Sequence, residues 1–181
     1  MPHKKPRVKR RVVVQPSDTS YRFIPLTKGQ IAIVDAGDFK WLSLWNWHAR
    51  WSKSTKSFYA ARYSGVYMHK IILRTKSKRV DHKNHDTLDN RRNNLRPCDD
   101  VRSSQNRGLR SDNKSGFKGV VLMKWRNKIK PDQRRWVANI TNNKHHIYLG
   151  CFTSAEDAAK AYDEAAKKYH GDFARLNFPS L

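Results

Sequence analysis

The stretch 135-RWVANITNNKHHIYLGCFTSAEDAAKAYDEAAKKYHG-171 carries two β-prone runs and one amphipathic helix in unbroken succession. Arg135 to Thr141 and His145 to Leu149 are rich in β-branched and aromatic residues, and Asn142-Asn143 between them predicts a tight hairpin. Thr153-Ser154-Ala155-Glu156 has the form of a capping box, with Thr153 as N-cap and Glu156 at the third helical position. From there Ala155, Ala158, Ala159, Tyr162, Ala165, Ala166 and Tyr169 recur at helical spacing until Gly171. An alanine-rich face lets such a helix lie close on a sheet. Glu156, Asp157, Asp163 and Glu164 are expected to point away from it, which leaves the strand side to bind anions.

Working outward, Phe117 to Met123 supplies a third β-prone run, so residues 117–181 read as one small domain. The preceding 111–116 are polar with Ser and Gly and read as a linker. Residues 1–20 read as a basic flexible tail or phosphate-contacting arm. Between them, residues 21–110 read as one module whose N-terminal part, 21–75, is strand-rich. Its expected elements are a strand at Gln30 to Val34, a helix at Phe39 to Leu42 and a strand at Leu44 to Trp47. Two more strands, Phe58 to Tyr63 and Val66 to Leu73, flank a Ser-Gly turn, with the last run open to helix at its end. Trp41, Trp45, Trp47 and Trp51 are assigned to the core.

The charge narrows the partner. Thirty-eight Lys and Arg against fifteen Asp and Glu give +23 over 181 residues. A polyanion is the natural counterpart, because each neutralised phosphate releases a counterion. Between Asp38 and Asp81 there is no acid, yet ten Lys or Arg accumulate; Gln133 to Ala155 is also acid-free. No apolar run is long enough to span a bilayer or to act as a signal peptide, so a cytoplasmic protein without membrane partners is expected. Cys98 and Cys151 make neither a disulfide framework nor a zinc knuckle.

A second stretch, 80-VDHKNHDTLDNRRNNLRPC-98, concentrates side chains able to do chemistry. Asp81 offers a hard carboxylate for a Mg²⁺-like ion, and His82 can take a proton near neutral pH. Asn94 can bridge the loop by hydrogen bonds and hold the histidine. A loop of turn formers, with Arg91, Arg92 and Arg96 holding either phosphate or the loop itself, fits the same residues.

The pattern Asp81-His82, Leu88-Asp89-Asn90-Arg91 and Asn93-Asn94-Leu95-Arg96 resembles the motif of HNH homing endonucleases of phage type. The resemblance implies a ββα-metal module that cleaves DNA with one divalent ion, Mg²⁺ or Mn²⁺. It makes Asp81 a metal ligand, His82 the general base and Asn94 the structural Asn. An ungapped reading puts Ser103 at the second metal ligand, while Asn106 lies one turn later on nearly the same helix face; Asn106 is the preferred choice.

A second resemblance is to the AP2 DNA-binding domain. It rests on Ser115 to Val120, Arg135 to Ile140, Tyr148 to Thr153, Ala155 to Ala159, Ala161-Tyr162-Asp163 and Leu176 to Pro179. It implies a three-stranded antiparallel sheet packed on one helix, with the sheet in the major groove of double-stranded DNA. Lys118, Lys124, Trp125, Arg135, Trp136, Asn139, Lys144 and His146 are then the candidate contacts, with Trp136 open between base contact and core. Val121, Met123 and Thr141 stand where that family often has Arg, so its target cannot be copied. The whole reading is an α+β protein: an HNH nuclease module, then an AP2-like domain, acting on duplex DNA as a monomer with no small-molecule cofactor. Its rival is a DNA-binding regulatory or structural protein whose HNH site has decayed.

Overall fold

Strand β1 (Tyr21–Pro25) and strand β2 (Ile31–Asp35) form an antiparallel hairpin. Lys28 and Gly29 turn it, both at positive φ, where the glycine has no β-carbon to strain. The computed structural model describes residues 10–110, 112–123 and 135–179, in two compact units, Met1–Cys98 and Asp99–Leu181. The division falls upstream of the linker expected at 111–116.

In the first unit, helix α1 (Ala36–Leu42) follows β2 directly. The expected strand at Leu44–Trp47 is instead a turn and coil. Its cause is Trp47, which is buried and donates its indole N–H to the Leu42 carbonyl at 2.8 Å, folding the chain back onto the helix end. Strands β3 (His48–Ser52), β4 (Ser57–Arg62) and β5 (Val66–Tyr67) then make a sheet in that order. The run expected as a strand to Leu73 turns helical at Met68: α2 (Met68–Leu73) buries Met68 and Ile72, one turn apart, and ends at Arg74 in the left-handed region. Strands β6 (Arg79–His82) and β7 (Leu95–Cys98) pair antiparallel. The core joins Ile24, Leu26, Val34, Leu42, Trp47, Ala60, Met68, Ile72 and Leu95. Of the four tryptophans only Trp47 is deeply buried; Trp45 and Trp51 are exposed.

The described part of the N-terminal tail is not a loose arm. Arg10 donates from Nε and Nη2 to the Trp47 carbonyl, and Gln15 exchanges two hydrogen bonds with the backbone of Phe23.

The second unit begins with α3 (Asp100–Gln105), capped by the Asp99 carboxylate, which accepts from Arg102 N at 2.7 Å. Strands β8 (Val120–Leu122), β9 (Trp136–Asn142) and β10 (His145–Phe152) form an antiparallel sheet with β9 central. The β9–β10 turn is Asn143-Lys144, both at positive φ, one residue later than expected. Helix α4 (Ala155–His170) packs on this sheet. Its cap is also one residue later: Ser154 Oγ accepts from Asp157 N and donates to Asp157 Oδ2. Gly171 ends the helix as expected.

Candidate functional site

The β6–β7 hairpin places Asp81 opposite Arg96 and His82 opposite Leu95. Between the strands, residues 83–94 fold into a loop held by its own side chains. Asn94 accepts from the Asn84 N–H at 3.0 Å and donates to the Asp89 carbonyl at 2.7 Å, so it braces the loop from inside. Two Asx turns at Asn84 and Asp86 shape the bend, with His85 left-handed at its apex. The loop docks on β2, where Ile33 N–H donates to Leu88 and Ile33 carbonyl accepts from Asn90.

Three arginines expected near phosphate each hold a carboxylate of the fold. Arg91 grips Asp89 through Nε and Nη2 at 2.9 and 2.7 Å. Burial opposes the ionisation of Asp89, but the hydrogen bonds from Arg91 and Asn84 outweigh it and hold its pKa below the ordinary value. Arg92 makes the same fork on buried Asp38, which also accepts from the Trp41 indole. Arg96 puts Nε and Nη2 on Asp81 Oδ2 at 2.8 and 2.7 Å. Of the two readings open for these residues, holding the loop is the one this geometry supports.

His82 is 4% exposed. Its ring stands perpendicular to that of His69 at 5.2 Å and beside Tyr59, and its Nε2 has no hydrogen-bond partner. Burial lowers its pKa, while the Asn90 side chain and the carboxylates of Asp81, Asp86 and Asp89 act the other way. The neighbouring His69 is pushed down to about 3 by burial, with His82 and Lys70 adding to it. Two neutral imidazoles thus share one dry corner.

The Asp81 carboxylate is committed to a guanidinium, and among the described residues no three His, Cys, Asp or Glu converge. Ser103 and Asn106, the expected second ligands, sit on α3 and its C-cap in the second unit, not in the unit that holds Asp81.

In the second unit, β9 alternates cleanly. Ala138 and Ile140 are buried against the alanines of α4 and Tyr162, so Val137, Asn139 and Thr141 face the other way. Register sets Val137 between Val121 and Cys151, Asn139 opposite Tyr148, and Thr141 opposite His146. Tyr148 is 64% exposed, and among the described residues the outer face carries no acid.

The comparisons with known proteins bear on this sheet. Dehydration-responsive element-binding protein 2A of Arabidopsis thaliana is 40% identical over 75 residues, 40% of this chain and 20% of the relative. Ethylene-responsive transcription factor ERF010 of the same plant is 39% identical over 67 residues, 36% of this chain and 32% of that protein. The AP2-like ethylene-responsive transcription factor At1g79700 of Arabidopsis thaliana is 35% identical over 81 residues, 43% of this chain and 27% of that protein. The chain is similar to AP2/ERF-type proteins. It spans about a third or less of the length of these relatives. No family model matches the chain, and no solved structure matches it.

The AP2-like sheet presents some of the expected DNA-facing residues and withdraws others. Asn139 lies on its outer face, His146 is exposed with Nδ1 2.9 Å from Thr141 Oγ1, and Lys144 stands at the turn. Arg135 directly precedes β9. Trp136 packs against the helix-side core, which decides between its two readings. Lys118 is turned inward: its ammonium donates to the Gln105 carbonyl at the end of α3, and burial, with Arg175 nearby, lowers its pKa to about 8. Lys124 and Trp125 lie outside the described residues. Sequence reasoning passes over Tyr148 and Val137 as surface residues; the period-two alternation of β9, followed across the hairpin register, is the signal that finds both.

Proposed function

We propose that this protein is a DNA-binding regulator that reads duplex DNA with the outer face of β8–β10. The carrying observation is the acid-free sheet face of Asn139, Thr141, His146 and Tyr148 in a unit whose sequence is similar to AP2/ERF-type transcription factors. A twisted antiparallel sheet of this width enters a major groove, where Asn139 can pair with adenine and Tyr148 can pack on a thymine methyl. The alanine-lined α4 stiffens the sheet from behind. Selection of binding sites from random duplexes, followed by titration of Asn139→Ala and Tyr148→Ala, tests it. A defined motif whose preference relaxes in either variant is the expected result. Enrichment of no motif sinks the reading.

A second reading, a DNA endonuclease acting through His82, is favoured by three observations. The β6–β7 hairpin carries Asp81-His82 at its end, Asn94 braces the loop, and His82 Nε2 is left unpartnered. Supercoiled plasmid incubated with Mg²⁺ or Mn²⁺, then with EDTA, decides it. Metal-dependent nicking abolished in His82→Ala supports the nuclease; intact plasmid, or equal nicking by the variant, removes it.

A further inference from the structure

The first unit carries a charged surface that the AP2-like sheet does not account for. From Phe39 to Val80 there are ten Lys or Arg and no acid, and this run builds β3, β4, β5 and α2. The shielded carboxylates of the unit are engaged elsewhere: Asp38, Asp81 and Asp89 hold Arg92, Arg96 and Arg91. Cations brought together with no acid between them repel one another, and a fold keeps such a surface where a polyanion covers it.

Aromatic rings are interleaved with these cations. His48 pairs with Ala61 and Ser52 with Ser57, so the β3–β4 hairpin has a base and a tip. At the base, the Arg62 guanidinium lies 4.1 Å over the Trp45 ring; Trp45 is 50% exposed and Tyr63 is 90% exposed. At the tip, Trp51 is 47% exposed, set edge-on against Phe58, beside Lys53 and Lys56. Five residues of strand separate the two groups by roughly 17 Å, the rise of about five base pairs. Exposed rings flanked by cations suit stacking and wedging at bases while the cations meet phosphate.

We propose that the β3–β4 hairpin is a second nucleic-acid contact surface, so that both units engage the same duplex. Lys53 and Lys56 contact the sugar-phosphate backbone, and Tyr63 inserts at a base step. The inference extends the DNA-binding function argued above, but its charge and ring pattern belongs to the other unit.

The test uses the full chain and a fluorescein-labelled double-stranded DNA of mixed sequence, titrated across a series of KCl concentrations. In Lys53→Gln/Lys56→Asn the slope of log K against log salt should become shallower by about one for each phosphate left without its lysine. The Asn replacement suits the positive φ at position 56. Tyr63→Ala, at an exposed position, should weaken binding roughly five- to a hundredfold if its ring stacks. Unchanged slope and affinity in both variants overturn the proposal. So does a weakening seen only when a labelled single-stranded RNA of the same length replaces the duplex. The sheet-reading function fails differently, by showing no sequence preference, and leaves this salt slope readable.

Discussion

Tyr162 fills the space that a β-carbon on Gly119 would need: an ideal Cβ there lies 1.9 Å from its Cδ2 and 2.3 Å from its Cε2. Gly119 also sits at φ +75, where other residues are strained. Gly119→Ala is therefore expected to destabilise the second unit by about 2–5 kcal/mol. Tyr162→Leu on top of it should restore part of that stability by relieving the clash, while the backbone strain stays. Urea unfolding of the single and double variants checks both.

Asp163, expected as a solvent-facing acid of α4, is buried. Its oxygens accept from Asn177 N, Asn177 Nδ2 and Phe178 N at 2.8 to 3.0 Å. Asp163→Ala leaves those donors without their acceptor, so a destabilisation of about 2–4 kcal/mol follows. Amide exchange at residues 177 and 178 should accelerate before that of β9.

Acid should weaken the first unit earlier than its carboxylates alone would. His69 stays neutral in the fold down to about pH 3, while unfolded it titrates near 6.5. Between those values the unfolded chain binds the extra proton, so stability is full above 6.5 and falls as pH drops, by about 1.4 kcal/mol per unit. His82 is displaced in the same direction and steepens the fall. His69→Phe, which can keep the stack on Tyr67, should flatten it. The Trp47 indole N–H signal, followed through urea at several pH values, reports this unit alone.

Arg96 and Asp81 face each other across paired strands, both largely shielded from water. Removing the guanidinium takes two short hydrogen bonds from the Asp81 carboxylate: Arg96→Leu should cost roughly 2–4 kcal/mol. Asp81→Val/Arg96→Leu should recover most of it, because a largely shielded ion pair is replaced by apolar packing. Denaturant midpoints of the three proteins measure the coupling.

The second unit is the more legible half. Periodicity of two in β9 and of 3.6 in α4 places sheet and helix, since each alternation is imposed by one buried face. The cap and the turn slip by one residue, because Thr153-Ser154 and Asn142-Asn143-Lys144 offer adjacent residues of like chemistry. The loop at 83–94 is legible as chemistry but not as partners. Arg92 meets Asp38 across 54 residues, and local pattern carries no trace of such a pairing. Lys118 misleads for a similar reason: a lysine in a β-prone run reads as a phosphate ligand until a carbonyl 13 residues away claims it.

The Asn177 side chain also holds Lys118 by both backbone groups, joining positions 59 residues apart. That closure makes the second unit late to complete during synthesis. Its sheet and helix can emerge in order from the ribosome, but the first strand is not secured until residue 177 has been added. Until then β8, an apolar strand at the edge of the sheet, lacks that anchor, and the nascent chain is most exposed to mispairing in that interval.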